Sequence, residues 1–155
     1  MTRVSWDEYF CKMAVTVRMR SSCIRRQVGA VLARDRQVLS TGYNGPPKGM
    51  DHCLELGCLR TEQKIPSGKR LDLCRAVHAE ANAVVQAAFN GVSTKDADLY
   101  CTNRPCAHCL KLLINAGVRR VYFIADYADP IASQLLGQNP GIELVHLPEF
   151  GGLLT

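Results

Sequence analysis

Apolar residues between Ser5 and Arg20 fall at Tyr9, Phe10, Met13, Val17 and Met19, close to the spacing of one helix face. Ser5 stands where an N-cap belongs and Glu8 follows three residues later, so the pattern predicts a helix over 5–20. The period then changes. Residues 27–33 (QVGAVLA) predict a buried strand and 37–42 (QVLSTG) its hairpin partner, with Asp35 near the turn. Residues 77–90 are alanine-rich and stop before Gly91, which predicts a helix. Pro105 opens a second helix over about 106–116, closed by Gly117. Strands are predicted at 98–102, 118–125 and 142–147, with a short helix at 131–136. The later chain therefore alternates strand and helix, which predicts an α/β fold with a mixed sheet and helices on its faces.

One stretch breaks the pattern. From about 43 to 74 the chain is punctuated by Gly45, Pro46, Pro47, Gly49, Gly57, Pro66 and Gly68, and Cys53, Cys58 and Cys74 lie in or beside it. A long irregular insert in a compact domain is usually functional. The length of 155 residues, with 47% hydrophobic and 21% charged, predicts one domain over 1–155 that carries this insert. No apolar run reaches the roughly 18 residues of a membrane span. Trp6, Asp7 and Glu8 near the start are unlike a signal peptide, so the protein is expected in the cytoplasm, of a host cell if the source is viral.

Composition adds eight cysteines and a net charge of +5. In a reducing compartment clustered cysteines point to metal ligands or buried residues rather than disulfides. The excess charge sits at Arg18, Arg20, Arg25 and Arg26 and at Arg119–Arg120, which reads as a solvated face or as a site for phosphate. Without a long basic run or an aromatic-interleaved basic stripe, nucleic acid is not an expected partner, and neither is a membrane.

Two segments carry chemistry: His78-Ala79-Glu80 and Pro105-Cys106-Ala107-His108-Cys109, each opening a predicted helix. Cys106 and Cys109 at a helix N-terminus share one side of the first turn, where the dipole and free N–H groups favour thiolates. With the His78 imidazole they make a three-ligand zinc set that leaves a fourth position for water. Glu80 lies close by without being a ligand and is placed to shuttle protons. The competing reading is a closed structural zinc with His108 as fourth ligand, but it leaves Glu80 without a role. H-x-E with P-C-x-x-C is the signature of zinc deaminases.

With these motifs go Cys23-Ile-Arg-Arg-Gln-Val-Gly-Ala-Val, Ser40-Thr-Gly-Tyr-Asn-Gly-Pro-Pro, Ile65-Pro-Ser-Gly, Cys74-Arg-Ala-Val-His-Ala-Glu and Val121-Tyr-Phe-Ile-Ala-Asp-Tyr. Together they make the chain resemble the cytidine deaminase superfamily, and within it the deoxycytidylate (dCMP) deaminases. The resemblance implies a three-layer α/β/α sandwich around a mixed five-stranded sheet. It implies hydrolysis of dCMP to dUMP, which supplies thymidylate synthesis, with Glu80 as proton carrier. It places Ala79 N–H on the base carbonyl, the carbonyl before Pro105 on the leaving amine, Asn44 on the deoxyribose and Tyr127 over the base or sugar. Arg25, Arg26 and Arg104 compete for the phosphate, and Arg104 stands where the family often has an apolar or small residue.

The resemblance further implies a second, structural zinc at Cys23, Cys53, Cys58 and Cys74, with His52 as a substitute ligand. Cys11 and Cys101 are expected to be buried. It also implies a homo-oligomer, preferably a hexamer, with Gln86 and Phe89 at an interface or Phe89 in the core. Activation by dCTP and inhibition by dTTP, with Mg2+ on the triphosphate, would involve Gly42, Tyr43 and Gly45 together with Arg25–Arg26. The alternatives are a tRNA adenosine or free cytosine/cytidine deaminase, and an inactive nucleotide-binding relative.

Overall fold

Strand β1 (Gly29–Arg34) is buried along nearly its whole length, because it lies inside a sheet covered on both faces. In the computed structural model, which describes residues 1–139 and 141–155, the sheet order is β2-β1-β3-β4-β5. The strands are β2 (Gln37–Tyr43), β3 (Asp98–Asn103), β4 (Arg120–Ala125) and β5 (Glu143–His146). β1 pairs antiparallel with β2 and β3, while β3–β4 and β4–β5 are parallel. The hairpin β1–β2 carries a bulge at Leu32/Ala33 and turns through Asp35 and Arg36, both at positive φ.

Alternation along the strands sorts side chains into two cores. Ala30, Leu32, Leu99, Cys101 and Val121 face α4 (Ala79–Phe89), α5 (Ala107–Asn115) and α6 (Pro130–Gln138), meeting Ala83, Ala87, Leu110, Leu113 and Ala132. Val31, Ala33, Tyr100 and Ile124 face α1 (Trp6–Arg18), meeting Phe10, Cys11 and Ala14. The result is the expected three-layer α/β/α sandwich around a mixed five-stranded sheet. Cys11 and Cys101 are buried, as expected for packing residues. No helix among the described residues is long and apolar enough to cross a membrane.

Two features of this packing place the site. The alanines of α4 let it lie close on β2. At Gly42 a Cβ would run into the Ala79 carbonyl and the Ala83 amide, so only glycine allows this approach. The parallel β3–α5–β4 unit then sets the N-terminus of α5 beside that of α4, at the carboxyl end of β3.

Three elements differ from the sequence pattern. The insert holds two short helices, α2 (Cys53–Leu56) and α3 (Leu59–Glu62), and a single 3-10 turn at Leu71–Leu73. α6 is longer than expected, because Asp129 caps it and Pro130 opens it. A 3-10 stretch at Pro148–Leu154 packs Phe150, Leu153 and Leu154 beside α1; its proline and two glycines hide any period.

Candidate active site

His78 and Cys106 are the N-cap residues of α4 and α5, and both have extended backbones. Two helix N-termini therefore converge on one point, each bringing positive potential and free N–H groups. His78 Nδ1 lies 3.5 Å from Cys106 Sγ and 3.5 Å from Cys109 Sγ. Among the described residues this trio is the one group of His, Cys or acidic donors whose ligand atoms all lie within 4.8 Å of one another. Around a tetrahedral zinc, with Zn–N about 2.0 Å and Zn–S about 2.3 Å, donors sit roughly 3.5 Å apart. The observed spacing fits that ion, and so does the soft sulfur–nitrogen donor set. His108 is exposed and stands outside the trio, against a closed four-ligand site.

Close contact within the trio moves protons between its members. Donation from the Cys109 thiol, together with His78, holds the Cys106 thiol far below its usual range. Sharing that proton, and burial, push Cys109 up. Hydrogen bonds to Cys106 and then Cys74 raise His78 to about 10 against the pull of burial. The carboxylate of Glu80 is only 4% exposed, and Cys109 Sγ donates to its Oε2 at 3.7 Å. Burial raises Glu80 to about 7, partly countered by the charge on His78. A carboxyl poised near neutrality can both accept and release a proton.

His78, Cys106 and Glu80 line a cavity of about 290 Å³. Ala79, Asn44 and Tyr127 line it, as do Arg25, Arg26 and Arg104. Pro105 is fully buried and does not line the cavity. The Asn44 side chain is heavily engaged: its Nδ2 donates to Arg26 O at 2.8 Å, and its Oδ1 accepts from Val28 N at 2.8 Å and Ser21 Oγ at 2.7 Å. Arg25 Nη2 donates to Ile65 O at 3.0 Å, while its Nη1 is buried without a hydrogen-bond partner, as is Arg104 Nε. Gly42, Tyr43 and Gly45 do not line the cavity. They pack against α4 and the residue before His78 instead: Gly42 lies against Ala79 and Ala83, the Tyr43 carbonyl accepts from Asn82 Nδ2 at 2.8 Å, and Gly45 pairs with Val77. Arg119 and Arg120 pair with Asp98 and Glu143 on the sheet, so that part of the excess charge forms surface ion pairs.

Cys23, Cys53, Cys58 and Cys74 all line the same cavity. Burial and the neighbouring Cys23, Cys58 and Cys74 push the Cys53 thiol up. A hydrogen bond from His78 holds the Cys74 thiol down despite burial. His52 is turned to Ser22, with its Nδ1 2.7 Å from Ser22 Oγ. Phe89 is 80% exposed and Gln86 is exposed too, so Phe89 is not a core residue.

Sequence reasoning missed Arg60, Asn103 and Asp129. Arg60 lines the cavity, is buried, and spends its guanidinium on the carbonyls of Lys69 and Pro66. Its burial is a tertiary property with no local signal. Asp129 was legible, since Asp-Pro before an apolar run is an N-cap signal.

A family model described as "Cytidine and deoxycytidylate deaminase zinc-binding region" matches residues 4–125. The chain is 39% identical over 152 residues to ComE operon protein 2 of Bacillus subtilis, covering 96% of this chain and 76% of that protein. It is also 39% identical over 142 residues to deoxycytidylate deaminase of Schizosaccharomyces pombe, covering 92% of this chain but 44% of that protein. The chain thus spans under half the length of the fungal relative. A crystal structure of dCMP deaminase from the cyanophage S-TIM5, in complex with dCMP and dUMP, superposes with a TM-score of 0.76. That match has 30% identity and covers 95% of this chain and all of the other.

Proposed function

The chain belongs to the cytidine and deoxycytidylate deaminase family of zinc-dependent hydrolases, and from that premise we propose that it converts dCMP and water to dUMP and ammonia. The observation that carries this reading is Glu80, buried against the His78–Cys106–Cys109 trio and lining a cavity whose walls include guanidinium groups. A binding module has no use for such a carboxyl, which argues against an inactive relative.

Zinc would be held by His78, Cys106 and Cys109, and would supply a water activated for attack near neutral pH. Glu80 takes one proton of that water and passes it to the ring nitrogen beside the reacting carbon, then takes the second proton from the hydroxyl added to that carbon and gives it to the amine, which leaves as ammonia while the hydroxyl oxygen becomes the carbonyl of dUMP. The Ala79 N–H, first in α4 and without an intrahelical acceptor, holds the base carbonyl. The carbonyl of Arg104, just before Pro105, accepts from the amine. Tyr127 covers the base or sugar, and Asn44 bounds the deoxyribose end. Arg25 and Arg104 are the leading phosphate ligands because each has a buried guanidinium nitrogen without a partner, and Arg26 also lines the cavity.

The same reading extends to assembly and regulation. Val85 and Phe89 leave an apolar stripe on the outer face of α4, 50% and 80% exposed, which suits a subunit interface in a homo-oligomer, with a hexamer preferred. The loop at Gly42, Tyr43 and Gly45, near Arg25–Arg26, is the proposed seat of dCTP activation and dTTP inhibition, with Mg2+ on the triphosphate. A second zinc at Cys23, Cys53, Cys58 and Cys74 would order the insert. The cytoplasm is the proposed location.

A substrate panel tests the function. The zinc-loaded protein is offered dCMP, dCTP, deoxycytidine, cytidine and adenosine, with and without dCTP and dTTP as effectors. Ammonia release from dCMP in preference to the others is expected. Preference for an unphosphorylated nucleoside overturns the reading.

A further inference from the structure

The loop between β4 and α6 is fastened at several points to the strip that carries the cysteine ligands. Arg104 N donates to Ala125 O at 2.9 Å, Arg104 Nη1 meets Asp126 Oδ1 at 3.3 Å, and Ala107 N donates to Asp129 Oδ2 at 2.9 Å. Tyr127 lies between the last two fastenings and lines the cavity, with its ring towards the insert at Gly68. Asp129 serves two helices at once. Its Oδ1 caps α6 by accepting from Ile131 N and Ala132 N at 3.0 Å each, and its Oδ2 takes the first N–H of α5, one residue past Cys106. Only a carboxylate can do both, because an Asn side chain has a single acceptor oxygen. A loop held at one end alone would let an aromatic ring swing out of the cavity; held on both sides of the ring, it cannot.

We propose that Asp129 and Asp126 are positioning residues that tie the loop to the ligand strip and so hold Tyr127 over the cavity. What Tyr127 covers rests on the deaminase reading; the tether itself does not.

The test labels the protein with fluorotyrosine and follows the 19F signals, assigning Tyr127 by its loss in Tyr127→Phe. Asp129→Asn and Asp126→Asn should each shift and broaden the Tyr127 signal while leaving those of Tyr9, Tyr43 and Tyr100 in place. Zinc per chain should stay unchanged. The KM for dCMP should rise on the order of tenfold with kcat within about threefold, the pattern of lost binding rather than lost chemistry. In a Tyr127→Ala background Asp129→Asn should add nothing further to KM, because both changes act through one side chain. An unmoved Tyr127 signal, loss of zinc, or additive KM effects overturns the proposal. If Asp129→Asn does not fold, Asp126→Asn, which keeps the α6 cap, decides between the outcomes by itself. A shifted Tyr127 signal in a protein that leaves dCMP unchanged upholds the tether and overturns the deaminase reading instead.

Discussion

Glu80 shows what one residue's surroundings add to its identity. In the sequence it is an acid two places after a histidine; in the fold it is buried on α4 with Cys109 donating to it, and burial brings it to about 7. Glu80→Gln removes the proton carrier but no zinc ligand. Metal analysis should find its zinc content unchanged, while turnover of dCMP falls by about 10²–10⁴-fold, the usual weight of general acid–base catalysis. Cysteines divide in the same way. Cys106 and Cys109 were assignable from their spacing and the preceding proline, whereas the hydrogen bonding of Cys74 with His78 had no local signal. Two zinc ions per chain, falling to one in Cys53→Ser, is the expected result of metal analysis for the proposed second site. A single zinc in the unaltered protein would remove that site.

At the scale of elements, helix ends do most of the work. α4 and α5 begin on ligand residues, so the same N–H groups and dipoles that need capping also favour thiolates and an anionic substrate. Asp129 ties a third helix start, that of α6, to this arrangement. Burial pulls its carboxyl up, but the N–H groups of Ala132, Ala107 and Ile131, with Arg104 nearby, outweigh it and hold the group below its ordinary 3.8. A folded-state value below the unfolded one means that its contribution to stability is present above pH 3.8 and disappears as pH falls through the folded value. Melting temperatures of the unaltered protein and Asp129→Asn should therefore differ most near neutrality and converge in acid. A gap that persists unchanged below the folded value would show that the carboxylate charge is not responsible. The helices themselves were legible from period, Pro105, Gly91 and Gly117. Their meeting was not, since it depends on how Gly42 admits α4 onto β2.

At the scale of the whole molecule, the outer face of α4 exposes Val85 and Phe89 one turn apart, and Lys48 lies 5.7 Å from the Phe89 ring. If that face joins subunits, Phe89→Asp should yield a smaller species by light scattering while keeping its zinc, and an unchanged mass would place the interface elsewhere. Much was fixed by the chain alone. Alternation and helical period, read with the glycine and proline stops, determined the order of strands and helices. H-x-E and P-C-x-x-C determined the ligand chemistry, because ligands one helical turn apart are a local property. Tertiary structure decided what depends on distant segments meeting. It gathered the arginines, the insert cysteines and Tyr127 around one cavity, committed Asn44 to the backbone, and drew Asp129 to the first turn of α5. Burial and neighbouring charge, which set how Glu80 and Asp129 hold their protons, are sums over contacts far apart in sequence and carry no local pattern.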